Sequence, residues 1–258
     1  MATDFKDKVI IITGASSGIG AGAAIHMAGL GGQLVIVGRN ADNLQQTADK
    51  IVEAGGEQPL QIQADMTQES DVAKIVPATL EKFGKINILV NNAGILETGS
   101  IETTELSQYD RLMLTNVRSI YQLTMLATPE LIKTKGSIVN VSSVCGLRAF
   151  PGVLAYNVSK AAVDQFTRCI ALELAPKGVR ANSVNPGVIV TEIHKRGGMD
   201  EETYNKFLQH CKSTHALGRP GDVLEVASAI AYLASEAASF TTGVNLPVDG
   251  GRHAMCPR

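Results

Sequence analysis

Lys8-Val-Ile-Ile-Ile-Thr13-Gly14-Ala-Ser-Ser-Gly18-Ile-Gly20 is the segment that decides the fold expected for this chain. Its first half is a short apolar run rich in β-branched residues, which is typical of a buried strand. The alanine-rich stretch after Gly20 predicts a helix, so the glycines form a strand-to-helix turn. Such a turn lets a pyrophosphate approach the backbone, and the helix N-terminus offers free amide donors and a positive dipole end. The segment therefore predicts a dinucleotide-binding turn, with GxxxGxG spacing instead of the commoner GxGxxG; a glycine turn without a ligand is the alternative.

The rest of the chain alternates between strand-like and helical patterns. The predicted strands are 8–13, 33–38, 60–64, 87–91, 137–142, 180–185 and 244–248. The predicted helices are 18–30, 41–55, 69–83, 106–133, 155–175 and 222–235. This alternation favours an α/β fold, with a parallel sheet and helices on both faces. No linker interrupts it, so we expect residues 1–258 to form one domain, in which the irregular stretch 191–219 is a candidate substrate lid.

Composition and charge argue against several functions. The net charge is −2, so the chain lacks a basic field for nucleic acid or an anionic membrane surface. No apolar run reaches the roughly 18 residues of a membrane span, and the polar start from Met1 to Lys8 lacks an apolar signal segment. The four cysteines lie far apart, and the histidines show no metal-ligand spacing. We therefore expect a cytoplasmic protein with reduced thiols and no metal.

Polar and glycine residues cluster where the predicted strands end. Arg39 follows the second strand, Asp65 the third, and the run Asn91-Asn-Ala-Gly94 the fourth. Ser142-Ser143 follows the fifth strand, and Asn185-Pro-Gly187 the sixth. Ligands of open parallel sheets bind outside the carboxyl ends of the strands, so we expect these residues to surround one site.

Tyr156-Asn-Val-Ser-Lys160 places a tyrosine and a lysine four residues apart in a predicted helix. Residues at this spacing share one helix face. A nearby ammonium favours the ionised tyrosine, so we expect the pKa of Tyr156 to lie below its ordinary value of about 10. Such a phenol exchanges a proton with a carbonyl or alcohol oxygen near neutral pH.

With these residues the chain resembles the single-domain branch of the short-chain dehydrogenases/reductases, from about Lys8 to Gly251. The glycine turn, the run 91–94, the thirteen-residue separation of Ser143 from Tyr156, and Val248-Asp-Gly-Gly251 carry the resemblance. Within the family it resembles the members that are similar to 3-oxoacyl reductases and to hydroxysteroid dehydrogenases. The resemblance implies a single-domain Rossmann fold with a seven-stranded parallel sheet, and hydride transfer between a nicotinamide dinucleotide and a CH–OH or carbonyl carbon.

The resemblance also implies the site residues. Tyr156 would be the acid or base, Ser143 would hydrogen-bond the substrate oxygen, Lys160 would tune Tyr156 and hold the nicotinamide ribose, and Asn116 would order a water. The expected cofactor contacts are Gly14, Ser16, Ser17, Gly18, Ile19, Gly20, Arg39, Asn40, Asp65, Met66, Asn92, Ala93, Gly94, Tyr156, Lys160, Pro186, Gly187, Ile189 and Thr191. The expected substrate contacts are Ser143, Cys145, Phe150, Tyr156, Val188, Met199 and Phe207.

The end of the second strand favours NADP(H). Gly38 stands where NAD-preferring relatives carry an acid that binds the adenosine 2′-hydroxyl. Arg39 follows, and a guanidinium pairs with a phosphate dianion through two parallel hydrogen bonds. A solvated surface arginine is the alternative. We interpret Asp65 as an adenine contact, with a helix N-cap before 69–83 as its second interpretation.

The expected substrate is a hydrophobic carbonyl compound or alcohol of steroid, isoprenoid or xenobiotic type, because the candidate pocket residues are mainly apolar. A 3-oxoacyl thioester of lipid synthesis is the alternative. A non-catalytic nucleotide-dependent sensor or scaffold is a third hypothesis, although such proteins usually lose the tyrosine or lysine. The resemblance also implies a homo-oligomer, a tetramer or dimer.

Overall fold

Seven parallel strands form the centre of the molecule in a computed structural model that describes residues 4–256. They are β1 (Val9–Thr13), β2 (Gln33–Gly38), β3 (Leu60–Gln63), β4 (Ile88–Asn91), β5 (Ser137–Val141), β6 (Arg180–Pro186) and β7 (Asn245–Val248). Their order in the sheet is β3-β2-β1-β4-β5-β6-β7. The predicted seven-stranded parallel sheet is confirmed, and each strand overlaps its predicted range.

Helices cover both faces of the sheet. They are α1 (Gly18–Gly29), α2 (Ala41–Glu53), α3 (Glu69–Phe83), α4 (Leu106–Met113), α5 (Ser119–Thr134), α6 (Val144–Leu147), α7 (Leu154–Leu174), α8 (Ile193–Arg196), α9 (Glu201–Thr214) and α10 (Val223–Ala234). The central strand β1 is apolar from Val9 to Ile12 because both of its faces are buried: all five of its residues are inaccessible or nearly so. One core packs Ile10 and Ile12 against α1 and α10, and the other packs Val9 and Ile11 against α3 and α5.

Two segments differ in detail from the prediction. The predicted helix 106–133 is interrupted by one π-helical turn, Leu114–Arg118, between α4 and α5. A π turn accommodates one extra residue and is frequent at functional sites. The irregular stretch 191–219 contains α8 and α9, and α9 begins at the N-cap Asp200, whose side chain accepts a hydrogen bond from Thr203 N.

The topology determines where a ligand binds. The chain proceeds outward from β1 to β3 and then crosses back to β4 on the other side of β1. The loops after β1 and β4 therefore diverge and leave a crevice at the carboxyl edge of the sheet, which is where open α/β sheets bind ligands. Among the helices within residues 4–256, none has the length and apolar character needed to cross a membrane.

Candidate functional site

A cavity of about 720 Å³ opens at the carboxyl edge of the sheet. Its walls come from the glycine turn after β1, the ends of β2 to β6, the α7 helix and the segment with α8 and α9. The structure brings together on this cavity every predicted site residue except Gly20 and Asn116. The expected convergence of the strand ends is therefore found.

The glycine turn is braced from behind by the loop after β4. Asn92 Nδ2 donates to the carbonyl oxygens of Thr13 (2.9 Å) and Gly14 (3.2 Å), while the Thr13 hydroxyl accepts from the amides of Asn92 and Ala93, both at 3.0 Å. A Cβ at Gly14 would lie 2.8 Å from Ala93 Cα. The turn therefore requires a glycine at this position.

Gly20 serves packing, because it lies behind the cavity and is buried. A Cβ at this position would overlap the Asn92 amide and the Gly14 carbonyl oxygen. Gly20 lets α1 approach the turn, and its neighbours Gly18 and Ile19 line the cavity, so a cofactor contact of Gly20 itself stays a prediction.

Asn116 lies in the π turn and is fully buried, away from the cavity wall. Its Nδ2 donates to Ile95 O (2.9 Å) and to Ser159 Oγ (3.1 Å), and its Oδ1 accepts from Ile95 N (2.8 Å). The side-chain amide therefore ties the loop after β4 to α7. The sequence did not predict Ser159 as a site residue, because only its hydrogen bond with Asn116, which is distant in the chain, shows that it supports the site.

Tyr156 and Lys160 share one buried face of α7, as their spacing predicts. Lys160 Nζ lies 5.6 Å from the centre of the Tyr156 ring and donates to Val141 O at 2.9 Å. Ser143 caps α6, where its Oγ accepts from Cys145 N at 3.1 Å. Because Ser143 Oγ accepts this bond, its hydrogen remains to be donated to the neighbouring Tyr156 or into the cavity.

The expected lowering of the pKa of Tyr156 is wrong. Burial raises the pKa of Tyr156 far above its ordinary value of 10, and the neighbouring Ser143 hydroxyl opposes this only in part. Burial also lowers the pKa of Lys160 to about 8, with Asp164 acting in the opposite direction. Removal from water is the largest cause of both shifts. Tyr156 therefore keeps its proton at neutral pH.

Asp164, one turn beyond Lys160, is a buried carboxylate that sequence reasoning missed. Its oxygens accept from Asn185 Nδ2 at 3.0 and 2.9 Å, and the same Nδ2 donates to Ser143 O at 2.9 Å. Burial raises the pKa of Asp164 above its ordinary value. The network links α7, β6 and the start of α6, and so fixes the backbone of Ser143.

At the end of the cavity where the adenosine contacts are predicted, Gly38 faces Ser16. A Cβ at Gly38 would lie 3.1 Å from Ser16 Cβ and Oγ. The neighbouring Arg39 is exposed, and its guanidinium makes no hydrogen bond or ion pair within residues 4–256. The N-cap of α3 is Gln68 and not Asp65. Asp65 Oδ1 accepts hydrogen bonds from Thr67 N at 2.9 Å and from Thr67 Oγ1 at 2.8 Å.

The opposite end of the cavity is closed by the segment 191–219. The rings of His194 and Phe207 pack against each other with 4.8 Å between their centres and 55° between their planes. The exposed Arg196 reaches back to the glycine turn, where its Nη1 donates to Ser17 Oγ at 3.0 Å. This contact joins the predicted lid to the predicted cofactor turn.

Arg252 also lines the cavity, although it comes from the C-terminal segment beyond β7. Its guanidinium carbon lies 4.5 Å from the centre of the Phe150 ring. The sequence carries no signal for this placement, because it depends on the reversal of the chain at Gly250 and Gly251, which have φ values of 57° and 81°.

Comparison with known proteins extends these observations to a family. The family model described as enoyl-(acyl carrier protein) reductase matches residues 14–253. The 2-(R)-hydroxypropyl-CoM dehydrogenase of Xanthobacter autotrophicus is 36% identical over 252 residues, which are 96% of this chain and 99% of the relative. The meso-2,3-butanediol dehydrogenase of Serratia marcescens is 36% identical over 251 residues, which are 97% of this chain and 96% of the relative.

Solved structures agree over nearly the whole length. A short-chain dehydrogenase/reductase of unknown function from Caenorhabditis elegans, crystallised with cofactor, has a TM-score of 0.92 and 36% identity, covering 98% of this chain and 97% of that one. Levodione reductase has a TM-score of 0.92 and 29% identity, covering 98% of this chain and 100% of that one. The chain therefore belongs to the short-chain dehydrogenase/reductase family, whose dehydrogenases use a nicotinamide dinucleotide.

Proposed function

We propose that this protein is an NADP(H)-dependent oxidoreductase that interconverts a largely apolar carbonyl compound and its alcohol. The observation that carries the proposal is the meeting of Ser143, Tyr156 and Lys160 on the cavity that begins at the glycine turn. The curated relatives support an alcohol carbon as the reacting centre, because their names describe dehydrogenases of a hydroxypropyl compound, a butanediol and glucose.

The glycine turn fits a dinucleotide, since side chains at Gly14 or Gly20 would collide with the loop after β4. In this proposal the turn holds the pyrophosphate, and Pro186, Gly187, Ile189 and Thr191 hold the nicotinamide half. A bound nicotinamide dinucleotide would supply hydride for reduction or accept it in oxidation.

Proton transfer in this proposal is the work of the protein's own residues. During reduction, Ser143 donates a hydrogen bond to the carbonyl oxygen and stabilises the negative charge that develops there. Tyr156 then gives its proton to that oxygen. The raised pKa of Tyr156 ensures that the proton is present at neutral pH. The charged form of Lys160 stabilises the phenolate that remains.

We propose that Asn116 is a positioning residue. Its side-chain amide bonds to Ile95 and Ser159, so it holds α7 against the loop after β4 and thereby places Lys160. A Cβ at Gly94 would lie 3.2 Å from Asn116 Oδ1 and 3.6 Å from Lys160 Nζ, so this loop packs tightly around both side chains.

The preference for NADP(H) rests on the end of β2. Arg39 is exposed on the cavity rim with its guanidinium available to a phosphate, and Gly38 offers no carboxylate to repel one. The tight approach of Gly38 to Ser16 also disfavours a larger residue there.

The proposed substrate region is mainly apolar, with Cys145, Phe150, Val188, Met199 and Phe207 on its walls. We propose that α8 and α9, within 191–219, act as the lid over it. A hydrophobic ketone or secondary alcohol fits these walls better than a highly polar one.

We also propose that the protein is a homo-oligomer. Several large apolar side chains lie exposed on one protomer, on α5, on α7 and in the loop before β7: Tyr121, Met125, Leu172 and Phe240. A buried partner surface explains exposed groups of this size.

The decisive experiment replaces Tyr156 by Phe and measures NADPH oxidation on a panel of aryl ketones, steroid ketones, isoprenoid aldehydes and acyl thioesters. We expect turnover to fall about 100-fold or more, because the proton donor is lost, while NADPH binding stays within a few-fold. Undiminished turnover in Y156F would refute the assignment of Tyr156. Binding of NADPH by the wild type with no turnover of any compound would favour a sensor or scaffold, and turnover of acyl thioesters alone would favour lipid synthesis.

A further inference from the structure

The short turn after β7 delivers an arginine to the substrate end of the cavity. Asp249 directly follows β7. Its carboxylate accepts hydrogen bonds from the backbone of the turn, from Gly251 N at 3.0 Å and from His253 N at 2.7 Å. Asp249 Oδ2 also lies 2.9 Å from His253 Nδ1. The Asp249 carboxylate is therefore engaged with its own turn, and Arg252 extends past it into the cavity.

Arg252 has no anionic partner in the described part of the chain. No carboxylate of residues 4–256 lies within 4.0 Å of its guanidinium, and its Nε is buried without a hydrogen-bond acceptor. Phe150 covers one face of the guanidinium at 4.5 Å, which fixes the plane of the group but satisfies none of its donors. A buried donor without an acceptor is costly, and its presence on a cavity wall indicates a ligand that supplies the acceptor.

The positive charge of Arg252 contributes to the pKa shifts of residues on two walls of the same cavity. Burial lowers the pKa of His194, in the lid, and the positive charge of Arg252 adds to that shift. Burial raises the pKa of Cys145, beside Ser143, and the Arg252 charge opposes that rise. The guanidinium charge therefore reaches both sides of the space between the lid and α6, where the proposed function places the substrate, as well as Cys211 and His215.

The phosphates of a dinucleotide have different arginines available to them. Arg39 stands at the end of β2, and Arg196 contacts Ser17 in the glycine turn. Arg252 packs on Phe150, beyond α6 and beside the lid. An anion at Arg252 therefore belongs to the substrate.

We propose that the substrate carries an anionic group, a carboxylate or another planar or tetrahedral oxyanion, which Arg252 binds while an apolar spacer crosses the cavity to Ser143 and Tyr156. The inference rests on the proposed function and narrows its substrate class from a neutral hydrophobic carbonyl compound to a keto or hydroxy acid with an apolar body. Arginine suits this task because its fork of donors matches the two oxygens of a carboxylate.

The test pairs each acid with its uncharged counterpart. Benzoylpropionate and benzoylbutyrate, with their methyl esters, are offered to the wild type and to the variants Arg252→Met and Arg252→Lys in the presence of NADPH. We expect kcat/KM of Arg252→Met to fall about 10- to 100-fold for the better acid, with little change for its ester, because a charge-assisted hydrogen bond is lost. We expect Arg252→Lys to retain part of the preference for the acid.

The matched control is Arg148→Met, which removes an exposed arginine just after α6 that does not line the cavity. We expect it to leave both acid and ester kinetics unchanged. A wild type that turns over acid and ester equally well, or an Arg252→Met variant that loses both equally, overturns the inference while the oxidoreductase assignment stands.

A binding measurement keeps the two proposals separate. Calorimetry with phenylbutyrate and with its amide is performed on NADPH-loaded wild type and Arg252→Met. If the wild type binds the carboxylate more tightly than the amide and Arg252→Met does not, the anion site is supported. This holds even when no ketone of the panel is reduced; in that case only the proposed function fails. Equal binding of carboxylate and amide by the wild type overturns the anion site.

Discussion

Arg39 lies exposed on the rim of the cavity, next to the glycine that ends β2, and its guanidinium has no partner among residues 4–256. Replacing it by Asp removes the proposed partner of the 2′-phosphate and adds a repelling charge. We expect the ratio of kcat/KM for NADPH to that for NADH to fall about 10- to 100-fold in Arg39→Asp. Steady-state kinetics with both dinucleotides measure the ratio, with Lys212→Asp, an exposed charge reversal on α9, as control. A ratio equal to that of the wild type would remove Arg39 from the site.

Lys160 is buried, and burial disfavours its charged form. Its pKa in the folded protein, about 8, lies below the ordinary value of 10.5. The unfolded chain therefore binds the Lys160 proton more tightly, and this residue contributes increasing stability as pH rises from about 8 towards 10. At pH 7 its buried ammonium is destabilising.

We therefore expect Lys160→Met to lose at least about 100-fold in turnover and yet to unfold at the same or a higher temperature at pH 7. The thermal advantage of the variant over the wild type should shrink between pH 8 and pH 10. Melting temperatures across this range, with Lys212→Met as control, test the expectation. A variant that is less stable than the wild type at pH 7 and gains on it as pH rises would contradict the sign of the shift.

Among the elements, α1 offers two glycines in opposite environments. A Cβ at Gly20 would overlap the Asn92 side chain and the Gly14 carbonyl, whereas the nearest atom to a Cβ at Gly29 is Ala54 O at 4.0 Å. We expect Gly20→Ala to lower both the melting temperature and the affinity for NADPH, because the turn must move. We expect Gly29→Ala to keep the affinity and to gain up to about 1 kcal/mol in stability, since alanine restricts the unfolded chain. Similar NADPH affinity and melting temperature in the two variants would contradict the packing function of Gly20.

The elements also show what the sequence could and could not predict. Strands such as β1 and β4 are buried on both faces, so their apolar runs mark them within a residue or two. The π turn was missed because it adds one residue inside a helical pattern, and only the partners of Asn116 on the loop after β4 and on α7 stabilise it. The position of Arg252 and the direction of the Tyr156 pKa depend on burial by distant segments, which no local spacing encodes.

The catalytic residues of the site could be predicted from the sequence, whereas the hydrogen-bond network that supports them could not. Ser143, Tyr156 and Lys160 follow from spacing combined with the position of strand ends. Asp164 and Asn185 form a hydrogen-bond network that requires α7 and β6 to be adjacent, and this adjacency is a property of the assembled sheet.

At the scale of the whole molecule, the exposed apolar side chains predict self-association. Phe240 is fully exposed in the loop before β7, and Tyr121 and Met125 project from α5. We expect sedimentation velocity to show a species of two or four times the protomer mass at micromolar concentration. Phe240→Glu should weaken association if this loop lies in the interface, and Tyr121→Glu should do so if α5 does. A protomer-sized species for the wild type across the concentration range would refute the oligomer.

Hydrogen bonds within the chain brace the glycine turn against the loop after β4. Thr13, Gly14, Asn92 and Ala93 satisfy one another's polar groups. Because the protein itself holds this backbone, a dinucleotide loses little affinity to ordering it. Its capture should accordingly be a single fast step at this end, and any slower isomerisation after capture would originate in the helices on the far side of the crevice.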